Sequence, residues 1–379
     1  MKKLLLASAI SAAFAAPGLV YAQAKPAVPT LDKVLEASGI STSGYIDAGY
    51  SYMDHDASQF NTRVFDQENN SFALRQFGLT VAKQPKEGFG GLVNVTVGRD
   101  AQFLHSAPEA TGGAASTFDL TQGYAQYATG PITLIAGKFT TLSGTEVIAS
   151  TGNTTISRSI LFGSVPFTHT GFRATWAVTD TLNLIAGVNN GWDQLTDNTR
   201  TKTAELGLTW APIKPLSIAL SGYSGKEATP NGEGSRTSID AVVSYQIIDP
   251  LSLGLEYLTV SQENMNLASG SVGKGAINGY AVYLTYLPTP KLRGVLRYES
   301  LDDKDGIRFV DSTTGLPING KATYSEITLT FSYLASDSFE ARAEVRQDKA
   351  DKDVFFKYGS TAADSKSMSS LALQALYKF

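Results

Sequence analysis

The chain reads as an all-β protein: a transmembrane, antiparallel, up-and-down β-barrel of about sixteen strands, with short turns at the periplasmic end and long extracellular loops. Three observations predict it. Apolar and polar residues alternate with a period of two over most of the chain. The connections alternate between tight turns and long, glycine-rich polar stretches. The final strand is amphipathic and finishes on an aromatic, Phe379.

The N-terminal stretch is set aside first. Lys2 and Lys3 precede an apolar run from Leu4 to Ala16, broken by Pro17 and Gly18, and Ala22-Gln23-Ala24 supplies small residues for a cleavage site. This predicts a cleaved export signal over residues 1–24, with Ala22 as the alternative point of cleavage. The run is too short for a membrane helix, which needs roughly 20 apolar residues. Residues 25–40 then read as a periplasmic leader. Leu31, Val34 and Leu35 fall at helical spacing before Gly39, so either a short amphipathic helix or a solvated leader fits. Residues 41–379 form the expected barrel.

Within it the strands follow in order. Five are read at residues 43–53, 72–82, 89–98, 118–128 and 132–139. From residue 171 the alternation is cleaner. Phe172, Ala174, Trp176 and Val178 share one face against Arg173 and Thr175. The same pattern recurs in 182–188, 204–210, 216–220, 239–247, 251–257, 280–286, 292–298, 327–333, 339–345 and 371–379. Short turns are expected at residues 83–88, 129–131, 179–181, 212–215, 248–250, 288–290 and 335–338. Long loops are expected at 54–71, 99–117, 140–170, 189–202, 225–236, 261–276, 300–322 and 348–367. Greek-key sandwiches do not sort their connections this way. A strand of about ten residues at ~3.3 Å rise and ~40–45° tilt spans the ~25 Å apolar band. Tyr245, Tyr257, Tyr286, Tyr298, Tyr333 and Tyr377 lie near strand ends, as interfacial girdles require. Tyr377 and Phe379 together resemble the signal by which bacterial barrels are handed to the barrel assembly machinery.

Composition excludes several functions. The chain has no cysteine, so a disulfide framework, a thiolate metal site and a cysteine nucleophile are all absent. A formal charge of −4 without a basic stripe argues against nucleic acid. His55, His105 and His169, all assigned to long loops, stand in no catalytic frame and at no zinc-ligand spacing. The stretch SGSVGKG from Ser269 resembles a phosphate loop, yet Ala268 replaces its first glycine and Gly275 its hydroxyl residue. No enzyme, metal or cofactor is expected.

With apolar faces outward, polar faces line a lumen wide enough for water. Arg293, Arg297, Glu299, Glu326, Glu340, Arg342, Glu344 and Arg346 fall on inward positions of three consecutive late strands, with Glu256 and Arg173 as further pore-lining candidates. They either set a transverse field across a pore or pair off as structural ion pairs. Glu205 and Asp240 are further inward carboxylates; Arg75 and Lys138 add positive charge on the opposite wall. Loop 140–170 carries Glu146, Arg158 and His169 and follows the fifth strand. That position resembles the third loop of general porins, which folds inward to narrow the pore; a surface loop is the alternative.

Several motifs resemble a bacterial β-barrel porin family. They are Val64-Phe65-Asp66, Asn69-Asn70-Ser71-Phe72, Gly137-Lys138-Phe139, Glu146-Val147-Ile148 and Ser157-Arg158-Ser159. Pro166-Phe167-Thr168-His169-Thr170-Gly171, Arg173 and Asn189-Asn190-Gly191-Trp192-Asp193 complete the set. The resemblance covers most of the chain and is densest between Val64 and Asp193. It implies a Gram-negative outer-membrane porin, passing small hydrophilic solutes or ions, but supplies no solute. Its partners would be outer-membrane lipid and lipopolysaccharide, the assembly machinery and the solutes, with a homo-trimer as the assembly many such porins adopt. A non-conducting barrel serving as scaffold, adhesin or phage receptor is the alternative.

Overall fold

A computed structural model describes residues 31–108, 116–312 and 314–379. The export signal lies outside the described residues. A short helix, α1 (Leu31–Ser38), ends with the Ser38 hydroxyl donating to the Leu35 carbonyl at 2.7 Å.

Among the described residues sixteen strands follow. They are β1 (Ser41–Met53), β2 (Ser71–Lys83), β3 (Gly88–Val97), β4 (Phe118–Thr129), β5 (Ile132–Thr140), β6 (Thr168–Thr179), β7 (Leu182–Asn189) and β8 (Thr203–Ile213). Then come β9 (Leu216–Thr229), β10 (Gly232–Ile248), β11 (Leu251–Asn266), β12 (Val272–Thr289), β13 (Leu292–Asp303), β14 (Ala322–Leu334), β15 (Phe339–Ala350) and β16 (Ser367–Lys378). Each pairs antiparallel with its sequence neighbours, and β1 closes on β16 from Tyr45 opposite Lys378 to Met53 opposite Ser370. Closure leaves no sheet edge, so every strand finds backbone partners on both sides without water.

The alternation has the polarity lipid demands. On β14, Ile327, Leu329, Phe331 and Tyr333 are exposed on the outer face, while Glu326, Thr328, Thr330 and Ser332 are buried inside. A soluble barrel would invert this pattern; a membrane barrel requires it.

Two expected loops are strand instead. Residues 225–236 form the top of a hairpin in which only Pro230 and Asn231 separate β9 from β10, with Gly232 at φ 103°. Residues 261–276 mostly extend β11 and β12, leaving 267–271 as the turn. β12 runs 18 residues, well above the roughly ten that the apolar band needs. These extensions carry polar residues on both faces because they stand clear of lipid, so alternation does not mark them.

Candidate functional site

Residues 141–167, between β5 and β6, lie against the inner wall of the barrel. The reason is visible in the wall side chains. A segment inside a lumen has amide N–H groups with no strand to pair with. Here carboxylates on inward strand positions accept them. Glu344 on β15 takes Ile156 N–H at 2.6 Å and Ser157 N–H at 2.9 Å. Glu299 on β13 takes Ile160 at 2.6 Å and Leu161 at 3.0 Å. Asp240 takes Gly144 at 2.9 Å and Glu256 takes Thr145 at 3.0 Å. Such charge-assisted bonds are the strong ones.

Arginines balance the carboxylates. Arg297 is wholly buried; its guanidinium donates to Glu326 at 2.6 Å and to Glu146 at 2.5 Å, tying β13, β14 and the inner segment together. Glu146 also accepts Ser159 N–H at 2.6 Å. Burial pushes its carboxyl up, but Arg297, Arg158 and that amide outweigh burial and hold it below the usual range. Arg346 pairs with Asp348 at 2.5 Å, and Arg63 of the first loop reaches the same carboxylate at 2.7 Å. Arg342 and Arg293 both donate to Glu340.

Two other loops complete the lining. In residues 54–70, Asp66 pairs with Arg75 at 2.7 Å, and Phe65 packs on Phe162 and Phe167 beneath Arg158. Phe60, Ile160, Leu161, Phe309, Val354 and Phe355 close an apolar cluster against the inner faces of Leu258, Ile277 and Leu301. In residues 190–202, Asp193 caps Phe167 and Thr168 N–H at 2.9 and 2.8 Å. Burial lifts its carboxyl to about 6 against the pull of those amides. Asp100, buried beside Asp66 and Asp47, is pushed up to about 7 and accepts from Gln76 at 2.9 Å.

Free space remains beside these contacts. Between the inner segment and strands β1 and β3–β5 is a cavity of about 300 Å³ bordered by Asn94, Thr96, Thr121, Gln122, Thr140 and Ser143, with Tyr45, Val147 and Phe167 as apolar contacts. At the short-turn end a space of about 530 Å³ is bordered by Arg293, Glu340, Arg342, Lys291 and Lys378. Toward the long-loop end lies a third of about 280 Å³.

The expected site residues therefore divide. Arg293, Glu340 and Arg342 border a cavity. Arg173, Glu256, Arg297, Glu299, Glu326, Glu344 and Arg346 occupy inward positions but are buried, not water-lining, because the inner segment and their own ion pairs cover them. Arg173 pairs with Glu205 at 2.5 Å over the Phe139 ring. On the charged wall Arg297 pairs with Glu146 and Glu326, Arg346 with Asp348, and Arg293 and Arg342 with Glu340, while Glu344 and Glu256 accept backbone amides. His169 is a second correction. It belongs to β6, stacked on Tyr223 at 4.5 Å with Nδ1 3.0 Å from the Gly191 carbonyl, outside the loop assigned to it. Tyr377 and Phe379 lie on the outer face, half exposed, with ring centroids 6.2 Å apart. Thr62 donates to Asp348 at 2.8 Å beside Arg63; strand periodicity cannot mark loop residues such as Thr62, Arg63 and Asp193, and their one hint in the sequence is a place in or beside the family-like motifs. Among the described residues no group of three or more metal-ligating side chains converges.

Comparison with known proteins agrees with this architecture. The beta-barrel porin-2, OmpL-like family model (BBP2) matches residues 39–379. The chain belongs to that family. Its outer membrane location follows from the family. Solved structures of the same fold include the anion-selective porin from Comamonas acidovorans at 13% identity and TM-score 0.62, covering 90% of this chain and 99% of that one. The outer membrane channel DcaP of Acinetobacter baumannii aligns at 16% identity and TM-score 0.60, covering 90% and 97%. Pseudomonas putida OprB aligns at 14% and 0.62, covering 92% and 96%. No curated protein matches the sequence.

Proposed function

We propose that this barrel is a passive diffusion channel for small hydrophilic solutes. One observation carries the reading: the inner segment is held by inward side chains of β10–β15 and by Asp47 and Gln76 of β1 and β2, and beside it lies a space bordered by hydroxyl and amide side chains of β3–β5. Solutes pass through that crescent. Glu146 and Arg158 act as positioning residues for the constriction, Glu146 through Arg297 and Arg158 by donating to the Val147 and Ile148 carbonyls at 3.0 and 2.9 Å. Glu146 borders that space, but its pairing with Arg297 offsets its charge, so ion selectivity there is weak and size decides passage.

The chain is read as exported through a cleaved signal over residues 1–24, with residues 25–40 as a periplasmic leader and Tyr377 and Phe379 as the signal to the assembly machinery. Lipid and lipopolysaccharide surround the outer face, and a homo-trimer is the assembly to test by crosslinking. A scaffold or receptor role is favoured by one feature, the apolar cluster that four loops build inside the lumen. Swelling of proteoliposomes in sugars of increasing size separates the two readings. A diffusion channel gives swelling rates that fall steeply with solute size. A correctly folded barrel that gives no swelling in any sugar overturns the channel and leaves the receptor reading.

A further inference from the structure

We propose that the space toward the long-loop end is a binding subsite for a small organic anion, a carboxylate carried on a ring-sized apolar body; it deepens the channel reading and rests on it for ligand entry. The space measures about 280 Å³ and is bordered by Arg236, Arg308 and Trp192 with Val260, Met265 and Ile277; Asp193, which accepts two backbone amides, also borders it. Pockets of this kind bind by an apolar wall and a few placed polar groups.

The two arginines are placed but not used up. Arg236 lies over the Trp192 ring at 4.7 Å, and Arg308 over Phe309 at 4.6 Å. Each guanidinium Nε has a neutral partner, Gln262 for Arg236 and the Ser164 hydroxyl at 2.7 Å for Arg308. Among the described residues, neither forms an ion pair with a carboxylate, unlike Arg63, Arg75, Arg297, Arg342 and Arg346.

The nearby carboxylates are committed to backbone amides. Asp303 accepts Ile307 and Arg308 N–H at 2.8 and 3.1 Å, Glu227 accepts Trp192 N–H at 3.1 Å, and Asp193 accepts Phe167 and Thr168. The terminal guanidinium nitrogens are thus left to a ligand, and their planar fork matches a carboxylate. Gly163 makes the room: a Cβ there would stand 2.4 Å from an Arg308 terminal nitrogen. An inorganic anion would leave the apolar wall unused, and a neutral ring would leave the guanidiniums unused.

The probe is benzoate, titrated into the refolded protein in detergent and followed by tryptophan fluorescence. Trp192 lies beneath Arg236, whereas Trp176 and Trp210 are exposed on the outer face. We expect saturable quenching by benzoate. Benzyl alcohol, without the charge, and acetate, without the ring, should each bind about tenfold more weakly or worse, as removal of a charge-assisted pair or an apolar body requires. Arg308→Gln and Gly163→Ala should each weaken benzoate by a similar factor; the second keeps the arginine and serves if the first fails to fold. Benzoate quenching that is absent, or equal in wild type and folded variants, overturns the subsite. Conductance without benzoate binding rejects the subsite and spares the channel; binding without conductance does the reverse.

Discussion

Glu299 and Glu344 each accept two successive amides of a segment that has no strand beside it. A glutamine keeps one acceptor oxygen and loses the charge, and each charge-assisted bond is worth about 1.5–3 kcal/mol. The double variant Glu299→Gln/Glu344→Gln should loosen the segment while the barrel persists. Limited proteolysis should cut within residues 143–164 faster than in wild type, and an unchanged cleavage rate would refute the anchoring role. Asp100 yields a pH prediction. Burial first, then Asp66 and Asp47, raises its carboxyl from an ordinary 3.8 to about 7. A carboxyl that holds its proton more tightly when folded favours the folded state at low pH. Its contribution should fall as pH rises from about 4 through about 7 and stay flat above. Thermal unfolding in detergent should show that slope, and Asp100→Asn should remove it; a slope unchanged in the variant assigns it elsewhere. The inward charges were legible as inward from period two alone. Their burial was not, because strand periodicity says which face a residue takes and nothing about what a distant loop lays over it.

Elements were legible where lipid imposed alternation and illegible where water did not. The lipid-facing stretches of β13–β16 follow Leu292, Leu296 and Tyr298, then Ile327 to Tyr333, then Phe339 to Val345, then Leu371 to Tyr377, as the sequence reads. The upper β9–β12 strands, polar on both faces, read as loops. β5 carries a local device. Gly137 sits at φ 138°, and a Cβ there would meet the Gly123 carbonyl oxygen at 2.3 Å. Gly137→Ala should therefore cost more than about 1 kcal/mol, seen as a lower unfolding temperature; a neutral variant would show that the strand can straighten without loss. The inner segment is the other element with a consequence of its own. Replacing residues 144–164 by a short glycine-serine linker should leave a folded barrel, because the β1–β16 ladder does not pass through it. Water would then solvate the exposed wall charges, and swelling by larger sugars should begin. A size cutoff that stays put would mean that the segment is not the constriction.

The whole molecule is asymmetric across its lumen. One side is filled by loops 54–70, 141–167, 304–321 and 351–366 over an apolar cluster and a sealed charge network. The β3–β5 side keeps hydroxyl and amide groups beside a cavity that Glu146 also borders. Sixteen strands give room for both halves, which a smaller barrel filled by its own side chains could not. The inner segment, held on β13 and β15 and on β1 and β2, narrows the barrel. The most direct test is single-channel conductance of the refolded full chain in a planar bilayer, under a salt gradient. Discrete, stable steps with a small reversal potential are expected of a diffusion channel whose bordering carboxylate, Glu146, is offset by Arg297. A barrel verified as folded that passes no current would contradict the open lumen on which the functional reading depends.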